Sequence, residues 1–143
     1  MALVYLAQSD TTIGLLSKDS IRLNVLKKRP KDKSVLIESY DFSTLKSLVR
    51  VPNKFKNFIR RSAKTTFIYP NFKAVRVVSG RHRDFLKRFK TLYSTSANLT
   101  QCAYDKKIAF KLADVVISDE RGLFESTSSK IFKIYKHKKV RVR

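Results

Sequence analysis

Short apolar runs alternate, along almost the whole chain, with segments whose apolar side chains return every third or fourth position. Alternation of this kind predicts a sheet layered with helices. Residues 3–7 read as a buried strand, and polar residues 8–12 with Gly14 read as a loop that breaks it. From Asp19 the pattern turns helical, with Ile21 and Val25 one turn apart, Ser17 or Asp19 placed to cap, and Pro30 stopping the helix after Lys27-Lys28-Arg29. Residues 34–37 predict a second strand, and Phe42, Leu45, Leu48 and Val49 a short helix that begins near Asp41 or Ser43. Val51, Phe55, Phe58 and Ile59 carry the rhythm into another helix, whose solvated face holds Lys54, Lys56, Arg60 and Arg61. Residues 65–69 and 74–78 predict a hairpin turning at Pro70 and Asn71, with Arg76 inside its second strand. Next come a helix with Phe85, Leu86 and Phe89 inward, a strand through Leu92-Tyr93, a helix over 105–113 through Ile108, Ala109 and Leu112, and a strand over 114–117. Residues 128–135 and 140–143 alternate cation and apolar side chain as half-exposed strands do, with 137–139 as the tip between them.

A chain of 143 residues supports one domain with a core, here taken as residues 1–143. Hydrophobic residues make up 43% but are spaced, so no run approaches the roughly 20 needed for a membrane span. Residues 1–7 lack the basic flank of a signal peptide, and Gln8-Ser9-Asp10 cuts the apolar stretch short, so a soluble, cytoplasmic protein is expected. A single cysteine, Cys102, excludes an internal disulfide, and it reads as a small, partly buried side chain. His82 and His137 stand too far apart in sequence to argue a zinc site, so no metal cage is expected. Lysine and arginine number 32 against 11 acids, giving a net charge of +21 and a pI near 10.4. A field of that size concentrates nucleotides, phosphates or RNA near the surface, although it also fits a solubilising surface.

Tyr93-Ser94-Thr95-Ser96-Ala97-Asn98 packs hydrogen-bonding side chains between a strand-like approach and a helix-like exit. Two readings fit it: a turn gripping an anion, or a Ser/Asn turn whose side chains bond their own backbone and cap the next helix. Gly14, Gly80 and Gly122 are too scattered for a glycine-rich phosphate cradle, so phosphate would have to be held by side chains. Lys27, Arg29 and Lys33 offer such groups beside Pro30, yet cations at a helix C-terminus are also favoured for their own sake. No serine–histidine–aspartate set and no paired carboxylates emerge, which leaves chemistry done by orientation and charge neutralisation.

The motifs in their order resemble the YrdC-like threonylcarbamoyl-AMP synthases. Residues 9–15 are similar to the family's Pro-Thr-Asp/Glu-Thr-Val-Tyr-Gly-Leu opening, Lys27-Lys28-Arg29-Pro30 to its Lys-x-Arg-Pro, and Ser94-Thr95-Ser96-Ala97-Asn98 to its Ser-x-Ser-Ala-Asn signature. Thr66-Phe67-Ile68, Val75-Arg76-Val77, residues 113–117 and residues 126–131 fall where the family has its remaining strands. The resemblance implies an α/β (α+β) fold, a twisted, mostly mixed sheet with flanking helices, around a basic site for ATP and L-threonine. The implied reaction joins ATP, L-threonine and bicarbonate into threonylcarbamoyl-AMP with release of pyrophosphate, Mg2+ accompanying the ATP. The product would pass to tRNA-modifying threonylcarbamoyl-transferase proteins.

Carried over by residue, Lys27 and Arg29 would hold phosphate and act in catalysis. Lys33, Thr66, Ser94, Ser96, Asn98 and Arg141 would contact the nucleotide, while Ser9, Thr11, Ser94 and Ser128 would form the threonine pocket. Departures from the family pattern are Gln8 for its proline, Ile13 for its aromatic, Ala63-Lys64 for its Gly-Pro, and Leu99-Thr100-Gln101 after the signature. Arg143 comes before any glycine-containing ending, so the sequence reads as a shortened member. A second reading is a catalytically reduced domain that binds tRNA or RNA on its basic surface, drawn from stretches such as residues 54–58 and 83–89. The related domain of hydrogenase-maturation carbamoyltransferases is a third, and fits less well because it belongs to much longer chains.

Overall fold

A computed structural model describes residues 2–99 and 102–143, and within them the strand-like runs become nine strands. These are β1 (Val4–Gln8), β2 (Ile13–Ser17), β3 (Leu36–Ser39), β4 (Thr65–Ile68), β5 (Ala74–Val77), β6 (Thr91–Ser96), β7 (Val115–Ile117), β8 (Lys130–Ile134) and β9 (Lys139–Arg141). Between them lie α1 (Ser20–Leu26), α2 (Phe42–Leu48), α3 (Lys56–Arg61), α4 (Gly80–Leu86) and α5 (Lys106–Leu112). Each of α1, α2 and α5 begins at an aspartate, Asp19, Asp41 and Asp105, whose carboxylate accepts a backbone N–H of the first turn.

All nine strands join one mixed sheet in the order β7-β1-β2-β6-β3-β5-β4-β8-β9. Parallel pairs (β7 with β1, β3 with β5, β4 with β8) are interleaved with antiparallel ones. One face carries two apolar clusters. Leu6, Leu15, Leu23 and Ala109 pack around α1 and α5, and Ile37, Leu45, Phe55, Ile59, Phe67 and Ile134 pack around α2 and α3. The other face carries α4 at one end, seated through Leu86 on Ala7, Leu16, Val78 and Leu92. Beyond that cluster the same face is polar and opens into the candidate site.

Several expectations change. The polar stretch with Gly14 was expected to be a loop through residue 14, yet β2 starts at Ile13 and all five of its residues are buried. Gly14 is a strand residue whose bare Cα lets β6 approach: a Cβ there would lie 3.3 Å from the Thr95 carbonyl oxygen. Ile21 and Val25, the apolar pair one turn apart in α1, are exposed, and the buried side is Leu23, Asn24 and Lys27. The Asn24 amide sets this orientation, since it donates to the Lys31 and Lys33 carbonyls and holds the loop after the helix. Ile108 is exposed while its neighbour Ala109 is fully buried. Cys102 is exposed rather than partly buried. The Ser/Asn stretch is not a turn as far as Ser96: β6 runs through Ser94 and Ser96, and the chain bends only at Ala97-Asn98. Of the departures after that signature, Thr100 and Gln101 lie outside the described residues.

Candidate functional site

Strand alternation decides which side chains meet. Register sets Ser94 opposite Leu16 and Leu36, Glu38 beside Arg76, and Thr66 beside Ile131, so these share the face opposite the large helix-bearing clusters. Between the end of β6 and β8 this face opens into a cavity of about 320 Å³. Its walls include Ser9 and Thr11 from the β1–β2 connection, Arg29, Thr66, Arg76, Ser94, Ser96, Ser128, Ser129 and Arg143. The volume falls within the range of small-ligand sites.

Lys27 and Arg29 reach this region through the way α1 ends. Lys28 adopts a left-handed conformation (φ 57°), the Lys28 N–H donates to the Val25 carbonyl at 3.1 Å, and the Arg29 N–H donates to the Asn24 carbonyl at 2.9 Å. This is the Schellman arrangement, and it sends the two cations to different tasks. Lys27, 3% exposed, donates through Nζ to the Ser96 carbonyl at 2.8 Å and to the Asn98 carbonyl, tying α1 to the end of β6. Burial, with the Arg29 and Lys33 charges nearby, lowers its pKa to about 8. Arg29 instead lines the cavity, and its buried Nε and Nη2 have no hydrogen-bond partner among the described residues. Burial likewise lowers the Arg29 pKa.

The remaining residues named from sequence divide in the same plain way. Thr66 Oγ1 and Ser129 Oγ share a hydrogen bond of 2.8 Å on the cavity wall. Ser9 accepts the Thr11 N–H at 3.0 Å and its Oγ lies 3.1 Å from Thr11 Oγ1, so the β1–β2 connection presents a hydroxyl pair. Ser128 lines the cavity, as do Ser94 and Ser96. Asn98 does not: its amide donates to the Cys102 carbonyl at 2.6 Å, and it lines a smaller neighbouring hollow of about 170 Å³. Lys33 is exposed and lies outside the cavity lining, where the adjacent Ser34 is found instead. Lys27, expected to hold phosphate, is also outside the lining, because its ammonium is turned onto the strand end.

Arg141, expected to close the site, pairs with Phe132, whose ring packs with the helix-bearing cluster, and so it points away from the cavity. Arg143 takes that place, donating from Nε to the Ser129 carbonyl at 2.9 Å. Sequence reading missed this because the alternating tail offers two arginines of equal pattern.

It also missed the floor of the site. Arg76 is 4% exposed and donates to Asp10 at 3.2 Å and to Glu38, and Glu38 in turn lies 2.9 Å from His82 Nε2. Burial alone would raise the Glu38 pKa, but His82 and Arg76 together hold it below the ordinary value. Asp10 goes the other way: burial raises its pKa, and Arg76 only partly offsets this. Four ionisable groups drawn from β3, β5, α4 and the β1–β2 connection thus meet under the cavity. A lone arginine in a strand pattern was the only sequence signal for them.

No family model matches the chain, and no curated protein matches it. Solved structures do. The nine-strand sheet with its helices has the YrdC-like fold, shared with Sua5 and YciO. Sua5 from P. abyssi, solved in complex with L-threonine, superposes with a TM-score of 0.78 at 16% identity over 99% of this chain. E. coli YciO superposes with 0.78 at 17% identity, covering 99% of this chain and 82% of its own. HypF, solved in a phosphate- and nucleotide-bound form, gives 0.73 at 13% identity, with 99% of this chain matching 26% of HypF. The chain spans 50% of the length of the P. abyssi Sua5 chain. Among the described residues, no helix is long and apolar enough to cross a membrane.

Proposed function

We propose that this chain is a YrdC-like L-threonylcarbamoyladenylate synthase, making threonylcarbamoyl-AMP for the threonylcarbamoyl-transferase proteins that modify tRNA. One observation carries the reading: the Arg29 guanidinium, with two buried nitrogens that lack partners among the described residues, lines one cavity with Ser94, Ser96 and Thr66. Arg29 is half-buried, and leaving two of its buried donors without acceptors is costly; an anionic substrate relieves that cost. The fold shared with a threonine-bound Sua5 and a nucleotide-bound HypF supports the same reading.

In the proposed reaction the threonine amine adds to bicarbonate with loss of water. An oxygen of the resulting carbamate attacks the α-phosphorus of ATP, the bond to the bridging oxygen breaks, and pyrophosphate leaves. The carbamate is already nucleophilic, so the protein needs no covalent intermediate and no strong base. Arg29 would neutralise the phosphates together with Arg143, which also lines the cavity, while the hydroxyls of Ser94 and Ser96 orient them. Ser9, Thr11 and Ser128 would receive the threonine moiety. Magnesium fits as part of the substrate, arriving with ATP: the nearby carboxylates of Asp10 and Glu38 are both engaged by Arg76. Lys27 would act as a positioning residue that holds the end of β6.

The test is pyrophosphate release in mixtures of protein, MgATP, L-threonine and bicarbonate. Release is expected only with every component present; release without threonine, or none at all, would reject the synthase.

A further inference from the structure

The eleven acids of this chain are unevenly placed: none falls within residues 42–83 or 126–143, which between them carry 18 of its 32 lysines and arginines. The sheet brings these two stretches together, because β4 pairs with β8 and β8 with β9. At their junction lies a second cavity, of about 560 Å³, and every residue lining it belongs to one of the two acid-free stretches. Arg50, Lys54, Lys136 and His137 supply its cationic and imidazole groups, and Asn53 and Asn71 its amides.

Tyr69 also lines it. That side chain is 2% exposed, and its buried hydroxyl has no hydrogen-bond partner among the described residues. Burial raises its pKa far above the ordinary phenol value, so at neutral pH it is a proton donor. Thr66 and Ile68 of β4 line the first cavity while Phe67 and Tyr69 belong to the helix-bearing cluster, so the two cavities lie on opposite sides of this strand. A solubilising surface explains exposed lysines, but it does not explain a buried phenol left without an acceptor in a pocket free of carboxylates.

We propose that this cavity is a second anion site that takes a phosphate group, with Arg50 and Lys136 supplying charge and Tyr69 donating a hydrogen bond. The phosphate would come either from a small molecule or from a nucleic-acid backbone; both present the same tetrahedral anion. The proposal is independent of the synthase reading.

Backbone amide NMR of the full chain, titrated in parallel with inorganic phosphate and with a short single-stranded RNA, separates the sources. Saturable shifts at the amides of Arg50, Asn53, Asn71 and Lys136 are expected with at least one probe. Saturation by phosphate points to a small ligand, and saturation by RNA alone points to a backbone phosphate. Tyr69→Phe keeps the ring and removes the donor, and should weaken binding about fivefold, the worth of one hydrogen bond. Arg50→Ala with Lys136→Ala should weaken it about tenfold or more, as the loss of charged contacts does, while Arg29→Ala leaves it unchanged. No saturable shift with either probe, or equal affinity in Tyr69→Phe, would overturn the site.

Discussion

Lys27 crosses from the end of α1 to the end of β6 and donates to the carbonyl oxygen of Ser96, 2.8 Å away and 69 positions along the chain. With its bond to the Asn98 carbonyl, this one ammonium fixes where β6 stops and the chain bends. Lys27→Met removes the donor and keeps the stem. It should lower stability by about 2 kcal/mol, because two part-buried hydrogen bonds from a charged donor are lost. Thermal unfolding measures that loss, and pyrophosphate release should fall with it as Ser94 and Ser96 lose their placement.

Arg29 predicts the opposite pairing of effects. Its two buried nitrogens lack partners among the described residues, so Arg29→Met removes an uncompensated polar group. Stability should hold or rise by about 1 kcal/mol, while synthesis falls on the order of a hundredfold through lost phosphate stabilisation. Comparing the melting temperatures and rates of the two variants separates the ligand-facing cation from the structural one.

The buried Glu38 should give the protein an acid-side signature. Its pKa is held below the unfolded value by His82 and Arg76 against the effect of burial, so the folded state binds fewer protons there than the unfolded state. The stability it contributes is complete above about pH 4.5, its ordinary range, and is lost as pH falls through the folded value. Glu38→Gln should cost about 3 kcal/mol at neutral pH, and the gap from the wild type should narrow on acidification. Urea unfolding at pH 7 and pH 4 checks both; a gap that stays constant would contradict the charge network.

Gly14→Ala tests the closeness of β2 and β6. The new Cβ would sit 3.3 Å from the Thr95 carbonyl oxygen, a backbone atom held in the ladder, and 3.5 Å from Ser94 Oγ. A loss of about 1 kcal/mol is expected from the forced shift, together with a raised KM for threonine, since this strand pair borders the cavity.

The layered architecture was legible in the sequence because apolar spacing reports burial directly, as at residues 65–68 and 74–77. β2 was not, because Gly14 signals a break in sequence and a close strand approach in space. α1 was legible from the spacing of Ile21 and Val25, but its buried side was not: Asn24 and Lys27 are polar, and what buries them is backbone acceptors, the nearby Lys31 and Lys33 carbonyls and the distant Ser96 carbonyl, which no hydrophobic pattern reports. Arg29, Thr66, Ser94, Ser96, Ser9, Thr11 and Ser128 were named from motif resemblance, and the structure places them on one cavity. Glu38, His82 and Asp10 were invisible because only sheet register and α4 bring them to Arg76.

The synthesis proposed for this chain takes place in the cavity that Arg29 and Ser94 line. Mass spectrometry of the products formed from MgATP, L-threonine and bicarbonate, by the wild type and by Arg29→Met side by side, tests it most directly. Threonylcarbamoyl-AMP is expected from the wild type, in amounts matching released pyrophosphate, with a loss on the order of a hundredfold in the variant. No adduct from a folded wild type, or equal yield from Arg29→Met, would contradict it.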